Sequence, residues 1–133
     1  VIGWSMSNRM TASIVCRALN MAMRNRSYPT GVILHSDRGS QYCSNDYQKL
    51  INIYKLRYSM SAKSCCYDNA ACESFFATLK AELIYREVYV SVEQAKSAIF
   101  QYIEAYYNRV RLHSGIGYLS PVIFEQQCLA IAA

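Results

Sequence analysis

A short apolar run that ends in a carboxylate is the feature that most constrains the fold of this 133-residue chain. Four of the five residues from 31 to 35 are apolar or glycine, and Ser36 and Asp37 follow them. This pattern is typical of a short strand buried on both faces. Ligands of open α/β sheets bind outside the carboxyl ends of the strands, so we expect Asp37 to lie at a binding site.

A second carboxylate, Glu73, lies in a segment predicted to be helical up to about Tyr85. Asp68 is the predicted N-cap of this helix, and Ala, Leu, Glu and Lys dominate the residues after it. A carboxylate at a strand end and another on a nearby helix can converge on a hard divalent cation. Mg²⁺ prefers a few carboxylate oxygens together with water and substrate phosphates. Asp37 and Glu73 are therefore candidate metal ligands.

The remaining segments predict further helices and one more strand. Helices are expected over residues 11–26, 45–54, 91–108 and 122–127, a strand over residues 56–60, and a β-prone run over residues 1–4. Thr11 is a candidate N-cap, Ser91 and Gln94 form a capping-box pattern, and Pro121 occupies a helix-opening position. The apolar stripe within residues 92–106 predicts a packed helical face, and residues 61–67 predict an irregular loop.

Composition sets broad limits on the class of protein. The apolar content of 53% allows one domain with a core, and the net charge of +5 is only a weak indication of nucleic-acid binding. The six cysteines match neither a zinc pattern nor a regular disulfide framework, so we expect reduced thiols in a cytosolic protein. Neither a membrane span nor a signal peptide is expected, because no run approaches 18 apolar residues and no charged-then-apolar leader is present.

Five motifs, in order along the chain, carry a resemblance to a known family. They are SMSNRMT at residues 5–11, HSDRGSQY at 35–42, DNA at 68–70, ESFFATLK at 73–80, and a tail with Tyr107-Asn108-Arg109, Arg111, His113-Ser114, Gly117-Tyr118, Ser120-Pro121 and Phe124-Glu125. Asp37 and Glu73 have 35 residues between them, and Lys80 follows after six more. This D-x35-E-x6-K pattern resembles the catalytic core of retroviral integrases. Together the motifs resemble OrfB-type insertion-sequence transposases over nearly the whole chain.

The resemblance implies a ribonuclease-H-like integrase core of α/β class, truncated before its third strand, whose end would be residues 1–5. It implies a DNA transposase that cleaves and transfers DNA strands by two-metal phosphoryl transfer with Mg²⁺ or Mn²⁺. The family's site needs three carboxylates, and the first aspartate would lie upstream of this chain, so the fragment alone is expected to be inactive. Residues 1–108 would be the remainder of the core and residues 109–133 a C-terminal tail.

The same resemblance suggests further site residues, each with a plainer alternative. Lys80 lies seven residues after Glu73, on the same face of an α-helix, and would contact a DNA phosphate unless it is simply a solvated lysine. Arg109, Arg111 and His113 would bind DNA, although arginines that end a helix also suit its dipole. His35 would support the metal site or fill the sheet edge. Asn69 would orient a metal-bound water or help start the helix.

Two other functions stay open: a related ribonuclease-H-like nuclease, and a non-catalytic DNA-binding or assembly module. The expected partners are the DNA ends of the element, the target DNA and further copies of the chain, without a membrane. Self-association is expected through an exposed edge of the Asp37 strand or exchange of the N-terminal segment. The expected location is the bacterial cytoplasm, on the nucleoid.

Overall fold

The computed structural model describes residues 1–62 and 69–132. The chain divides into two compact units, which we call the sheet unit (Ile2–Ala77) and the helical unit (Val1 with Thr78–Ala133). The helices are α1 (Ala12–Asn25), α2 (Asn45–Ile53), α3 (Ala70–Leu79), α4 (Val92–Gln101) and α5 (Pro121–Ala132), and the strands are β1 (Ile33–Ser36) and β2 (Arg57–Met60). The predicted N-cap Asp68, the cysteine pair at 65–66 and most of the loop predicted over 61–67 lie outside the described residues.

The two strands form a parallel pair in the sheet unit. Ile33 lies opposite Arg57, and Ser36 lies opposite Met60. Parallel neighbours need a crossover connection, and α2 provides it. The predicted strands over 31–37 and 56–60 are therefore confirmed, with β1 starting two residues later than expected. Asp37 follows β1 directly, at the carboxyl end of the pair.

One face of this strand pair is covered by α1 and α2. Leu19 and Met23 of α1 and Tyr47 and Ile51 of α2 form the buried core, and Leu34 of β1 packs against them. Successive strand residues point to opposite faces, so Ile33 lies on the other face, where it is 61% exposed. The expectation that this strand is buried on both faces is wrong within the described residues, because only its Leu34 side meets the helices.

The helix caps follow the sequence in part, since Thr11 occupies the N-cap position of α1 but its side chain makes no capping hydrogen bond. Ser91 accepts a hydrogen bond from the Gln94 backbone at 3.1 Å, as the capping-box pattern predicts. The reciprocal bond differs, since the Gln94 side chain accepts from the backbone of Val90 at 2.8 Å rather than from Ser91 itself. The sequence reading missed Ser44 as the N-cap of α2, where its hydroxyl accepts from the backbone N–H of Tyr47 at 3.3 Å.

The N-terminal run does not form the strand that its β-prone residues suggest. The Ile2 carbonyl accepts from the Asn25 side chain at 2.9 Å, and Gly3 lies against α1. A Cβ on Gly3 would come 2.7 Å from the Cβ of Ala22, so only glycine permits this approach. This expectation is wrong, because the described residues contain no strand that pairs with the run. The run packs against α1 instead.

In the helical unit, two helices continue in π-helical form. Lys80–Ile84 extends α3, and Tyr102–Tyr107 extends α4. Tyr102 and Ile103 are buried as the apolar stripe predicts, but Val92 and Tyr106 are exposed. For Tyr106 the reason is geometric, since a π-helical segment shifts the later side chains off the 3.6-residue repeat.

The last helix is longer than the sequence pattern suggested. α5 opens at Pro121, as predicted, but it runs to Ala132 rather than ending near residue 127. The last turns of α5, which contain Leu129 and Ile131, are exposed. They therefore have no amphipathic pattern from which the end of the helix could be predicted. Neither α5 nor any other helix in the described part of the chain has the length and apolar character needed to cross a bilayer.

Candidate metal centre and nucleic-acid interface

Asp37 is an exposed carboxylate held by a tight turn after β1. Its Oδ1 accepts a hydrogen bond from the Gly39 backbone at 2.7 Å. A Cβ on Gly39 would lie 2.9 Å from that same oxygen, so a larger residue at this position would displace the carboxylate. The turn role and a ligand role are compatible, because the turn uses only one of the two carboxylate oxygens.

Glu73 lies in the first turn of α3 and is also exposed. Its relation to Asp37 is seen at Cys72, where partial burial raises the pKa of the thiol and the negative charges of Asp37 and Glu73 raise it further. Glu73 adjoins Cys72 in the sequence, so the additional influence of Asp37 on this thiol is the part that depends on folding. Both predicted ligands are exposed carboxylates of the sheet unit, and their approach to a common metal ion stays a prediction.

The donor set here consists of two carboxylates. Among residues 1–62 and 69–132, no group of three or more His, Cys, Asp or Glu side chains is placed to hold a metal ion. Asp46, the other described acid of the sheet unit, opens α2 and acts on Cys16, whose thiol pKa is raised by burial first and by Asp46 second. Two accessible carboxylates fit a hard cation such as Mg²⁺ that keeps several waters and binds substrate phosphates.

His35 is tied to the neighbouring strand. Its Nδ1 lies 2.9 Å from the Ser59 hydroxyl and its Nε2 lies 3.1 Å from the Ser61 hydroxyl. The Ser61 hydroxyl also contacts the Ser36 carbonyl at 3.2 Å. Of the two roles predicted for His35, these contacts correspond to the sheet-edge role, and contact with a metal stays a prediction. Ser59 and Ser61 were missed by the sequence analysis, because only the parallel register reveals that they face His35.

Arg38 is a second positioning residue that the sequence did not single out. Its Nε donates to the Ser61 carbonyl at 3.0 Å, so the turn after β1 is fastened to the end of β2. The Ser36 hydroxyl adds a contact of 2.7 Å to the Tyr58 hydroxyl. These bonds fix the backbone on either side of Asp37, which is what a preorganised ligand requires.

The remaining candidate residues near α3 are less engaged. Asn69 is half-buried immediately before α3, and Lys80 is exposed at the start of the π-helical segment. The argument that Lys80 shares the helical face of Glu73 stays a prediction. An exposed position does suit contact with a phosphate, and it also suits a solvated lysine.

Arg111 is engaged inside the helical unit. Its Nε and Nη2 lie 2.9 Å and 2.8 Å from Oε1 of Glu82, and its guanidinium lies 5.7 Å from the centre of the Tyr107 ring. The Tyr102 hydroxyl donates to the other Glu82 oxygen at 2.6 Å. The hydrogen bond from Arg111 is the main cause that lowers the pKa of Glu82. The sequence analysis missed Glu82, because an acid in a charged helical stretch gives no signal of a distant partner.

His113 completes this cluster through both of its ring nitrogens. Its Nδ1 lies 3.3 Å from Nη1 of Arg111, and its Nε2 lies 3.4 Å from the Tyr107 carbonyl. A guanidinium only donates and a carbonyl only accepts, so both contacts require the proton on Nε2. Arg109 differs, because its side chain is exposed and only its Nε is engaged, with the Glu104 carbonyl at 3.1 Å.

Comparison with known proteins identifies the class of protein. The sequence matches the family described as "Integrase core domain" over residues 1–66, and a second family of the same description over residues 73–129. The chain belongs to the integrase core domain family. The integrase core domain has a ribonuclease-H-like fold, so the α/β architecture described above is assigned to that fold. The parallel pair of β1 and β2 is a part of it.

Named relatives narrow the class to insertion-sequence proteins. "Transposase InsF for insertion sequence IS3fB" of Escherichia coli K12 is 57% identical over 130 residues, which are 98% of this chain and 45% of that protein. "Insertion element IS600 uncharacterized 31 kDa protein" of Shigella sonnei is 44% identical over 133 residues, which are 100% of this chain and 49% of that protein. The predicted resemblance to insertion-sequence transposases is confirmed. The chain spans about half the length of these curated relatives.

Proposed function

We propose that this chain forms part of the catalytic core of a DNA transposase, a DDE polynucleotidyl transferase that cleaves and joins DNA strands. The observation that carries the proposal is the placement of two exposed carboxylates, Asp37 directly after the carboxyl end of β1 and Glu73 in the first turn of α3. Family membership supplies the reaction class, and the relatives supply the insertion-sequence setting.

In this proposal Asp37 and Glu73 hold Mg²⁺ or Mn²⁺. A bound divalent cation of this kind neutralises charge on a phosphate that undergoes in-line displacement. The chain's own contribution is orientation. The Gly39 turn fixes one oxygen of Asp37, the Arg38 and His35 contacts hold the ends of the two strands together, and Asn69 precedes the helix that carries Glu73. A rigid strand end and a helix are suitable supports for ligands that must keep their geometry.

We further propose that the third carboxylate of the triad comes from outside these 133 residues. The two-carboxylate donor set and the half-length match to the relatives support this. The truncation before the third strand belongs to the same proposal. By itself the chain would then bind metal weakly and would not cleave DNA.

For DNA contact we propose Lys80 and Arg109 as direct phosphate ligands, because both are exposed cations. We propose that residues 1–108 form the core and residues 109–133 a C-terminal tail. Arg111 and His113 of the tail are bound to the Glu82 cluster, so they can contact DNA only if the contacts of that cluster break. Element ends, target DNA and further copies of the protein are the proposed partners. The proposed setting is the nucleoid in the bacterial cytoplasm.

The decisive experiment replaces Asp37 with asparagine in the full-length transposase. Strand cleavage and joining should be lost with Mg²⁺ and with Mn²⁺, while the far-ultraviolet spectrum stays unchanged, because the substitution keeps the size and removes only the charge. Asp46→Asn is the matched control, since it removes an acid of the same unit that opens α2 and acts on Cys16 instead. Normal joining by Asp37→Asn would refute the assignment.

A second function has specific support. Because the described donor set has only two carboxylates, the chain could serve as a DNA-binding or assembly module without catalysis. Full-length protein that binds element ends but shows no metal-dependent joining, with or without Asp37→Asn, would favour this module. The related-nuclease alternative is weaker, because the relatives that the chain matches over 98–100% of its length are insertion-sequence proteins.

A further inference from the structure

The chain's net positive charge lies entirely in one unit. Residues 2–77 contain nine Lys or Arg and four Asp or Glu, whereas residues 78–133 contain five of each. The difference of five in the sheet unit therefore equals the net charge of the whole chain, +5. The cations that matter most for long-range attraction to a polyanion thus belong to the sheet unit, not to the tail.

The acids described in the sheet unit lie towards the carboxyl end of its strands, where Arg38 also lies. Asp37 follows the carboxyl end of β1, Glu73 lies near it beside Cys72, and Asp46 opens α2. The Tyr54 hydroxyl, just past α2, donates to Asn20 of α1 at 2.6 Å.

The ends of the two helices also match, since the ring of Tyr28, just past α1, lies 5.9 Å from the ring of Tyr54, just past α2. The two helices therefore run in the same direction. Both end at the amino-terminal end of the strands, opposite Asp37.

Three exposed cations belong to the segments at this amino-terminal end, in the last turn of α1 and at the start of β2. We define the basic end as Arg24, Lys55 and Arg57 together with Tyr28. The Gly31 backbone donates to the Lys55 carbonyl at 2.9 Å, and the Arg57 backbone donates to the Val32 carbonyl at 2.9 Å. The Tyr28 ring lies 5.9 Å from the Tyr54 ring and is 55% exposed. The sequence contains no acid in residues 1–36 or in residues 47–62.

Backbone conformation marks the same place. Lys55 has a φ of 53° and Tyr28 a φ of 58°, and Ser27 beside it has 54°. These are three of the four non-glycine residues with positive φ in the described chain. Side-chain-bearing residues in the left-handed region are strained, and such strain clusters at functional sites. Arg24 by itself is explained by the dipole of α1, but Lys55 and Arg57 lie outside both helices.

We propose that the basic end binds the phosphate backbone of a DNA duplex, as a contact surface separate from the Asp37–Glu73 site. The four residues of a strand span about 13 Å at roughly 3.3 Å each, which exceeds a screening length of about 8 Å at physiological salt. The carboxylates therefore do little to weaken the attraction of the basic end for a DNA phosphate. This inference rests on the proposed function, since it takes DNA as the partner.

The test measures binding of a short mixed-sequence duplex by the full-length protein as salt rises from about 50 to 200 mM. The double variant Lys55→Gln/Arg57→Gln should lower the slope of log K against log salt by about 1.8, because each lost phosphate contact removes about 0.9. The control Lys49→Gln/Lys96→Gln removes the same charge from exposed positions on α2 and α4 and should change the slope by less than about 0.5.

The variant Lys55→Gly controls for a loss of DNA binding that is caused by unfolding. Glycine adopts positive φ without strain, so this variant should keep its thermal midpoint while losing about 0.9 from the slope. If both variants keep the salt slope of the unmodified protein, with duplex binding and strand joining intact, the proposal that the basic end binds DNA is wrong. The proposed function would not be affected by that result. Preferential binding of a poly-glutamate peptide over the duplex at the basic end would overturn the DNA-binding proposal in favour of an acidic protein partner. Absence of duplex binding by the unmodified protein would overturn both proposals.

Discussion

Replacing Glu82 with glutamine removes the charge from the ion pair with Arg111 while keeping the size of the side chain. The carboxylate is contacted by two guanidinium nitrogens at 2.8–3.0 Å and by the Tyr102 hydroxyl at 2.6 Å. The side chains of Arg111 and Glu82 are 24% and 29% exposed, so the pair is neither fully solvated nor fully buried. It fastens the segment that carries Arg109 to the helices of its unit.

The loss of unfolding free energy expected for Glu82→Gln lies between two limits. Exposed pairs contribute about 0.2–1 kcal/mol, and breaking a buried pair costs about 3–5 kcal/mol. A bidentate, charge-assisted contact at this exposure should contribute about 2 kcal/mol, in line with hydrogen bonds to charged groups. At roughly 4 °C per kcal/mol for a domain of this size, Glu82→Gln should lower the thermal midpoint by about 8 °C.

The pH dependence has a definite sign. The folded protein holds the pKa of Glu82 below its ordinary value, chiefly through the Arg111 hydrogen bond. Its contribution is therefore fully present above the unfolded pKa of about 4.3 and is lost as pH falls through the lower folded pKa. The difference in unfolding free energy between wild type and Glu82→Gln should be constant near neutrality and should disappear in acid.

Urea unfolding followed by circular dichroism measures this in a double-mutant cycle with Arg111→Gln. The coupling energy should be about 1.5 kcal/mol at neutral pH, well above the additivity error of about 0.5 kcal/mol. Glu93→Gln, which removes an exposed acid from the first turn of α4 in the same unit, is the matched control. A coupling energy within that error, or one that persists in acid, would refute the reasoning.

Three further substitutions test the core, the metal site and DNA contact. Ile51→Ala removes a side chain that is 3% exposed and should cost about 2–4 kcal/mol in urea unfolding; a loss below about 1 kcal/mol would contradict the described core. Gly39→Ala should displace the Asp37 carboxylate and weaken Mn²⁺ binding measured by calorimetry, with Gly115→Ala, where added atoms meet nothing, as control. Lys80→Ala should lower the salt slope of DNA binding by about 0.9 if Lys80 contacts a phosphate, and an unchanged slope would return it to a solvated role.

Sequence patterns were reliable wherever a structure depends on neighbours along the chain. The N-terminus of α1, the capping serine of α4, the helix-opening proline of α5 and the two strands all follow from local propensity, capping and periodicity. The two carboxylates could be identified in the same way, because their motifs are short and their spacing fits a known family. Periodicity failed at Tyr106 inside the π-helical segment, and also at Val92, Ile33 and the end of α5, where the predicted apolar side chains are exposed.

What the tertiary structure decided depends on groups far apart in the sequence. Only the parallel register brings Ser59 to His35, and only folding of the helical unit brings Glu82, 29 positions earlier, to Arg111. The sequence thus identified Arg111 as a cation but could not tell whether it faces DNA or a carboxylate of its own chain. The reason is physical: capping and amphipathicity act within a few residues, whereas register and ion pairing are set by which elements pack together.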